Sequence, residues 1–236
     1  MKSLTESFVK RNIKSALKKE TGANFDVNFS GYSVSSMKKG IFKYLELSGK
    51  NVKADEIIIP YVHLKSLTDY NYVEYNKDPI IFKSDMIFAY DVELSEDTMN
   101  EALKHSEYQK VINSVNKLAY PMFTVNSVRT KIVQNRVYIV MDYNFPIFRK
   151  SKDKSFVTSA DFKVENGKIR AKNVKMDSAY GNIPLDKVTN LINYLNPLEY
   201  TVDLFGSKQC HVNVENVNIV DNKIKVDGKI MIKGDK

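Results

Sequence analysis

Apolar and polar residues alternate over much of the chain, which is the pattern of strands that bury one face. The stretch Met37–Gly49 predicts a strand that is bracketed by Gly40 and Gly49. The next run, Ile57–Leu64, is rich in β-branched residues, and Met86–Leu94 shows the clearest alternation of the chain. These runs predict a sheet with one apolar face.

Three short segments predict β-hairpins in the second half of the chain. Ile132–Val137, Val164–Ile169 and Ile219–Ile224 share one order, in which an apolar residue, a polar turn, a basic residue and an apolar residue follow each other. Asn166-Gly167 is the strongest of these turn signals. Three consecutive hairpins predict an antiparallel meander, which we expect to extend the sheet of the first half.

Helical spacing of apolar residues predicts helices that cover this sheet. One spans residues 3–20, carries a basic side and stops at Gly22. Another spans Leu185–Leu195 and is followed by Asn196-Pro197. The simpler interpretation of the basic N-terminal helix is that it packs on the sheet with its basic side in solvent. The alternative is that it binds an anionic membrane.

A third helical region begins at Ser95, a predicted N-cap. The apolar stripe of its first turns and the stripe that starts at Val111 differ by about half a turn at ~100° per residue. We therefore expect a break near His105 and Ser106. The second piece should end at Tyr120, because Pro121 cannot continue a helix.

These elements predict an α+β fold with a strongly curved antiparallel sheet, a meander of hairpins, wrapped around or covered by amphipathic helices. The 236 residues are enough to bury a sizeable core. We expect one domain over residues 1–236, with the N-terminal helix at 3–20 and the sheet and remaining helices over 24–233. The basic polar stretch Arg149–Lys154 is predicted to be an exposed loop.

The chain is basic, with 36 Lys and Arg against 28 Asp and Glu, a net charge of +8. Such a protein prefers anionic partners, either nucleic acid or phospholipid headgroups. The basic residues are scattered and form no recognisable reading motif, so we expect no nucleic-acid partner and favour an anionic membrane surface. Cys210 is the single cysteine, which excludes an internal disulfide, and we interpret it as a small strand residue.

The motifs of common catalytic and metal sites are missing. His63, His105 and His211 have no metal-ligand spacing, and we interpret each as structural. The chain has no GxSxG elbow, P-loop or GxGxxG, and Cys210 and His211 point to opposite faces of a strand. We therefore predict a protein that is not an enzyme, with no cofactor and no metal.

Several short motifs, taken in order, resemble a known family. They are Thr21-Gly22, Gly40-Ile41-Phe42, Leu45, Leu47, Gly49, Asn51-Val52, Leu94-Ser95-Glu96-Asp97 with Asn100, and Leu195-Asn196-Pro197. This order resembles the LmeA-like phospholipid-binding family over about Lys10 to Lys233. The resemblance implies a tubular lipid-binding fold, related to the bactericidal permeability-increasing proteins, with acyl chains in a groove between the sheet and helices. It also implies a bacterial envelope protein.

The leading hypothesis is non-catalytic binding of phospholipid in an apolar groove, with lipid transfer as its extension, as part of bacterial envelope lipid homeostasis. The predicted lining residues are Phe8, Ile13, Leu17, Met99, Leu103, Val111, Val115 and Met141. Lys10, Lys14 and Lys18 are predicted to contact anionic headgroups. The alternative is a structural or tethering protein on a membrane surface, without an internal lipid cavity. The lipid and the oligomeric state stay open.

The sequence has no run of the ~18 apolar residues that a membrane-spanning helix needs, and residues 1–20 lack the apolar core of a signal peptide. We expect a location in the cell envelope, on the periplasmic or extracytoplasmic face, if a targeting segment has been removed. Otherwise we expect a cytoplasmic protein that is peripheral to the membrane.

Overall fold

A computed structural model describes residues 4–54, 57–120, 122–145, 154–176, 185–206 and 210–235. The chain divides into two compact units. Unit 1 consists of Met1–Leu94, Leu204–Asn216 and Lys225–Lys236, and unit 2 consists of Ser95–Asp203 and Val217–Ile224. The single domain expected from the sequence stays a prediction. Of the predicted loop Arg149–Lys154, residues 149–153 lie outside the described residues.

The elements of unit 1 begin with a long helix and continue mainly as strands. They are α1 (Leu4–Thr21), β1 (Phe25–Ser30), α2 (Val34–Lys38), β2 (Ile41–Phe42), β3 (Tyr44–Ala54), β4 (Ile57–Ser66), β5 (Asn71–Glu74), β6 (Ile81–Phe82) and β7 (Met86–Leu94). The elements of unit 2 are α3 (Glu96–Ala102), α4 (Ser106–Ala119), β8 (Thr124–Val133), β9 (Arg136–Asn144), β10 (Lys154–Glu165), β11 (Lys168–Met176), α5 (Leu185–Tyr194) and α6 (Pro197–Asp203). The last hairpin, β12 (Cys210–Val220) and β13 (Lys223–Ile232), has residues in both units.

The core of unit 1 lies between α1 and its sheet. The six-stranded sheet has the order β1-β3-β4-β7-β13-β12. Its neighbouring strands from β1 to β7 are antiparallel to each other. Leu47 lies opposite Val27 on one side and Leu64 on the other. Val9 and Ile13 are the buried residues of α1, so the predicted N-terminal helix and its apolar face are confirmed.

The strand predicted between Gly40 and Gly49 begins where expected, but it is divided into β2 and β3 and does not end at Gly49. Residues Val34–Lys38 form α2, because Ser33 and Ser36 make a reciprocal capping box that starts a helix. The chain then turns at Gly40, with a φ of +84°, and β3 runs through Gly49 to Ala54. Gly49 lies inside β3 and makes room for the Phe25 ring of the neighbouring strand, because a Cβ at this position would lie 2.9 Å from that ring.

Unit 2 holds a four-stranded sheet in the order β11-β10-β9-β8, with every neighbouring pair antiparallel. The predicted break between two helices is confirmed, since α3 ends at Ala102 and His105 is the N-cap of α4. The predicted end of α4 is also confirmed, with Tyr120 as its C-cap. Helix α6 was missed, because Pro197 was interpreted as a boundary.

The three predicted hairpins are confirmed, and their turns have positive φ angles at Gln134-Asn135, Asn166-Gly167 and Asp221-Asn222. The expectation of one continuous sheet is wrong. The first two hairpins form the sheet of unit 2, whereas the third joins the six-stranded sheet, and β2, β5 and β6 form a further small sheet. The fold is therefore α+β with mostly antiparallel sheets, and in the described part of the chain these sheets are open.

Candidate functional site

Unit 2 contains an apolar pocket of about 230 Å³ between its sheet and helix α5. The described residues that line it are aromatic or aliphatic except for one lysine: Phe123, Met141, Tyr143, Phe145, Phe156, Lys187, Val188 and Leu191. Pockets of this type are the usual binding sites of small apolar molecules in proteins. It is therefore the candidate binding site of the protein.

The burial of the lining residues gives the pocket a floor and an opening. Met141 is 1% exposed and Phe156 is 7% exposed, and the two residues lie directly opposite each other on β9 and β10. Val188 of α5 is also buried. Phe123 and Phe145 are half-buried. The floor is thus made by the sheet and α5, and the half-buried rings stand at the opening.

Three of the aromatic rings form a cluster in this pocket. The centroid of the Phe123 ring lies 5.2 Å from that of Tyr143, and the Tyr143 and Phe145 centroids are 5.4 Å apart at 87°. Phe123 and Phe145 complete the triangle at 6.2 Å. Aromatic pairs favour these separations and tilted angles. The cluster therefore gives the pocket an ordered aromatic wall.

Two lysines lie beside this wall. Lys187 lines the pocket from the first turn of α5, and its side chain is exposed. Lys154 pairs with Tyr143 across β10 and β9, and its Nζ atom lies 5.5 Å from the centroid of the Phe145 ring. This is the range of a cation–π interaction. The site can accommodate an apolar chain in the pocket and an anionic group near Lys154 and Lys187.

A β-bulge in β8 brings Phe123 into the pocket. Val128 pairs with Met141 and Val125 pairs with Tyr143, so that Asn126 is an extra residue in β8. Since side chains alternate between the faces of a strand, one extra residue moves everything before it to the other face. Phe123 and Val125 therefore lie on the same face of the sheet as Met141. In a regular strand they would lie on the opposite face.

Asparagine side chains from the helices cover both edges of the four-stranded sheet. On β8, the backbone N–H of Thr130 donates to Asn100 Oδ1 at 2.8 Å, and Asn100 Nδ2 donates to the carbonyl of Thr130 at 3.0 Å. On β11, the N–H of Ala171 donates to Asn193 Oδ1 at 2.7 Å. These amides replace a neighbouring strand, which satisfies edge groups and fixes the helices on the sheet.

Two carboxylates reinforce the same edges. The N–H of Ile132 donates to Glu96 at 2.9 Å, and the N–H of Ile169 donates to Glu199. Burial raises the pKa of the Glu199 carboxyl above its ordinary value, while the hydrogen bond from Ile169 opposes that rise. Burial likewise raises the pKa of Asp203 in the same helix. Glu96 thus joins α3 to β8, and Glu199 joins α6 to β11.

The opposite face of the sheet carries a polar network behind the pocket. Asp142 accepts hydrogen bonds from the hydroxyl groups of Ser127 at 2.6 Å and Ser155 at 2.7 Å, and from Arg129 at 2.9 Å. The bonds from Ser127 and Ser155 hold the pKa of Asp142 below its usual value, and Arg129 adds to this effect. The network ties β8, β9 and β10 together beneath the aromatic wall.

The structure separates the lining residues that the sequence predicted. Met141 lies in the pocket of unit 2. Met99 and Leu103 are buried at the end of α3, and Val111 and Val115 are half-buried on α4. For these four residues the sequence pattern was that of an ordinary helix face, and the lining role stays a prediction.

The predicted residues of unit 1 lie on α1. Ile13 and Leu17 line a separate apolar cavity of about 60 Å³ against the sheets of that unit. Phe8 is half-exposed, with the guanidinium carbon of Arg11 5.8 Å from its ring centroid. A cavity of this volume holds little more than a water-sized molecule. The pocket of unit 2 is therefore the better candidate.

The lysines predicted to contact headgroups are also on α1 and differ in their surroundings. Lys14 pairs with Asp26 at 3.2 Å, so part of its charge is already balanced. Lys10 lines a shallow site with Glu6, and Lys18 is exposed. Their contact with headgroups stays a prediction.

The pocket residues that the sequence did not reveal belong to strand ends and to α5: Phe123, Tyr143, Phe145, Phe156, Lys187, Val188 and Leu191. The alternation of Tyr143 and Phe145 beyond Met141 was a usable signal, because it extends an apolar face past the end of β9. The position of Phe123 had no such signal, since it depends on the bulge.

No family model, curated protein or solved structure matches the chain. Within the described ranges, no three His, Cys, Asp or Glu side chains come together in a way that could hold a metal ion. Among the helices in those ranges, none is both long and apolar enough to cross a membrane.

Proposed function

We propose that the protein binds phospholipid without catalysis and holds an acyl chain in the apolar pocket of unit 2. The observation that carries this proposal is the chemical composition of the pocket, whose lining in the described part of the chain is almost entirely apolar, with Lys187 as the one charged residue there. An apolar lining selects an apolar ligand, and a lysine beside it adds attraction for an anionic group. A phospholipid carries both.

The volume of the pocket limits how much of a lipid it can hold. An apolar cavity of about 150 Å³ takes up benzene. At about 230 Å³ the pocket holds a longer piece of hydrocarbon, but less than two complete acyl chains. We therefore propose that part of one acyl chain enters. Each buried methylene contributes about 0.8 kcal/mol, so a segment of about six methylenes contributes roughly 5 kcal/mol.

The remaining parts of the proposal rest on the resemblance to the LmeA-like family. They are a curved, tubular lipid-binding type of fold, a role in the lipid homeostasis of a bacterial envelope, and transfer of lipid between membranes. Open antiparallel sheets with helices against them support such a fold without specifying its curvature. Contact of Lys10, Lys14 and Lys18 with an anionic membrane is a further part of the proposal, and it rests on the basic side of α1 instead of the resemblance.

Native mass spectrometry of the purified protein, followed by organic extraction, tests this function. The expected result is one bound phospholipid per chain, either from purification or after incubation with phospholipid vesicles. A protein that stays empty after both treatments contradicts lipid binding. If the empty protein nevertheless sediments with anionic vesicles in a salt-sensitive way, the surface tether without an internal cavity is the better account.

A further inference from the structure

The connection between α4 and β8 exposes large apolar side chains. Leu118 is 86% exposed, Tyr120 is 67% exposed and Met122 is 66% exposed, all within five residues. We call these three residues the apolar turn. Single exposed apolar residues are common on protein surfaces, whereas a group of large ones marks an interaction site.

The apolar turn is held in place by ordered hydrogen bonds. The N–H of Val125 donates to Asn116 Oδ1 at 2.7 Å, and Asn116 Nδ2 donates to the carbonyl of Val125 at 2.9 Å. The N–H of Met122 donates to the carbonyl of Ala119 at 2.9 Å. Because α4 and β8 are tied together on both sides, the turn presents its side chains from a fixed base.

The apolar turn leads directly into the pocket. Phe123 follows Met122 in the chain and lines the opening together with Phe145. The exposed side chain of Met122 is therefore only one residue away in the chain from the aromatic wall.

The charge around the turn selects an anionic partner. Residues 108–141 contain no Asp or Glu, and Lys117 lies one residue before Leu118 with its side chain exposed. Lys154 and Lys187 lie at the pocket. Apolar and aromatic side chains next to lysines are the combination that favours the interface of an anionic bilayer.

We infer that the apolar turn docks on anionic phospholipid membranes by inserting Leu118, Tyr120 and Met122 into the bilayer interface. This inference deepens the proposed function and rests on it, because docking there brings the opening of the pocket to the membrane. The lipid surface is the partner, and the pocket loads from it.

The sequence contains no tryptophan, so one introduced tryptophan reports on a single position. Tyr120→Trp places the reporter in the turn, and Val133→Trp places it at the far end of β8 as a matched control, since Val133 is also exposed. With vesicles of equal parts phosphatidylcholine and phosphatidylglycerol, the emission of Tyr120→Trp should shift to the blue while that of Val133→Trp stays unchanged. Equal behaviour of the two reporters, or no shift, overturns the inference.

A second variant separates docking from ligand binding. The triple variant Leu118→Ser, Tyr120→Ser, Met122→Ser should bind these vesicles at least about tenfold more weakly, because three apolar side chains leave the interface. Its uptake of a fluorescent fatty acid from solution, measured below the micelle concentration, should stay within about twofold of the wild type. Wild-type binding to vesicles by the triple variant overturns docking. If the wild type takes up no fatty acid, the proposed function of the pocket is contradicted. Docking is then decided by vesicle binding alone.

Discussion

The ring centroids of Phe123 and Tyr143 lie 5.2 Å apart, and the pair exists because Asn126 adds one residue to β8. Without that residue, Phe123 would face away from Met141. One bulge therefore determines whether the sheet of unit 2 presents a continuous aromatic wall.

This relationship predicts the effect of shortening Phe123. Phe123→Ala should lower the affinity for a fluorescent fatty acid by about tenfold, since a half-buried ring leaves the opening of the pocket. Phe123→Leu is the matched control and should lose less, because it keeps an apolar side chain there. Both affinities follow from fluorescence titration. Equal affinities for the wild type and Phe123→Ala would mean that this wall does not contact the ligand.

The amide of Asn100 should be important for the stability of unit 2. Asn100→Ala leaves the N–H and carbonyl of Thr130 without these partners, and we expect a loss of about 1–3 kcal/mol in the free energy of unfolding. Asn113→Ala, at an exposed position of α4, is the control and should change it by less than about 0.5 kcal/mol. Urea denaturation measures both, and similar values for the two variants would rule out this role of Asn100.

The hydroxyl of Tyr108 joins α4 to the segment after α5. It donates to the carbonyl of Leu195 at 2.6 Å, and the residue is almost fully buried. Burial, with a contribution from the neighbouring Tyr200, raises the pKa of Tyr108 above its ordinary value, so the hydroxyl stays a donor. Tyr108→Phe should cost about 1–3 kcal/mol in unfolding free energy. The exposed Tyr194→Phe is its control, and equal stability of the two proteins would contradict this account.

Glu199 gives the stability a pH dependence of known sign. Burial is the main cause that raises its pKa in the folded state, so the folded protein holds this proton more tightly than the unfolded chain does. The contribution of Glu199 to stability therefore falls as the pH rises from its unfolded pKa through its raised folded pKa. Glu199→Gln removes this effect and can still accept the hydrogen bond from Ile169.

We expect the melting temperature of Glu199→Gln, relative to the wild type, to increase as the pH is raised from about 4 to about 7. The charge of Asp203, whose own pKa is also raised by burial, adds to the rise in the pKa of Glu199, so the difference between the two proteins includes this coupling. The charge of Lys168, whose Nζ atom lies 3.8 Å from Glu199, opposes part of the rise in the pKa of Glu199. A difference that is constant or falls with pH would contradict the raised pKa of Glu199.

The sequence predicted those features that depend on neighbours in the chain. The break near His105 followed from an apolar stripe that shifted by half a turn, and the turn residues at 134–135, 166–167 and 221–222 indicated the hairpins. Helix α6 also had a local signal. Asn196 accepts from the N–H groups of Leu198 and Glu199, and Pro197 occupies the first helical position, where proline is favoured.

The arrangement of hairpins and the pocket depended on long-range pairing. Nothing in the residues of β12 and β13 distinguishes a partner in one sheet from a partner in another. The bulge at Asn126 could not be predicted either. It changes the face on which Val125 and Phe123 lie, and the hydrophobic pattern carries no signal of it. Met141 was found because it lies on the regular part of β9, and Phe123 was missed because it lies beyond the bulge.

The most direct test of the central claim is the loading of a protein whose pocket has been filled. Leu191→Trp places a large side chain at the pocket, and Val140→Trp places the same residue at a half-buried position of β9 on the opposite face of the sheet. Each protein is incubated with phospholipid vesicles, separated from them and examined by native mass spectrometry. We predict that the wild type and Val140→Trp carry phospholipid and that Leu191→Trp, at an unchanged melting temperature, carries little or none. Equal loading of all three proteins would show that lipid binds elsewhere, and a wild type without lipid would contradict the proposed function.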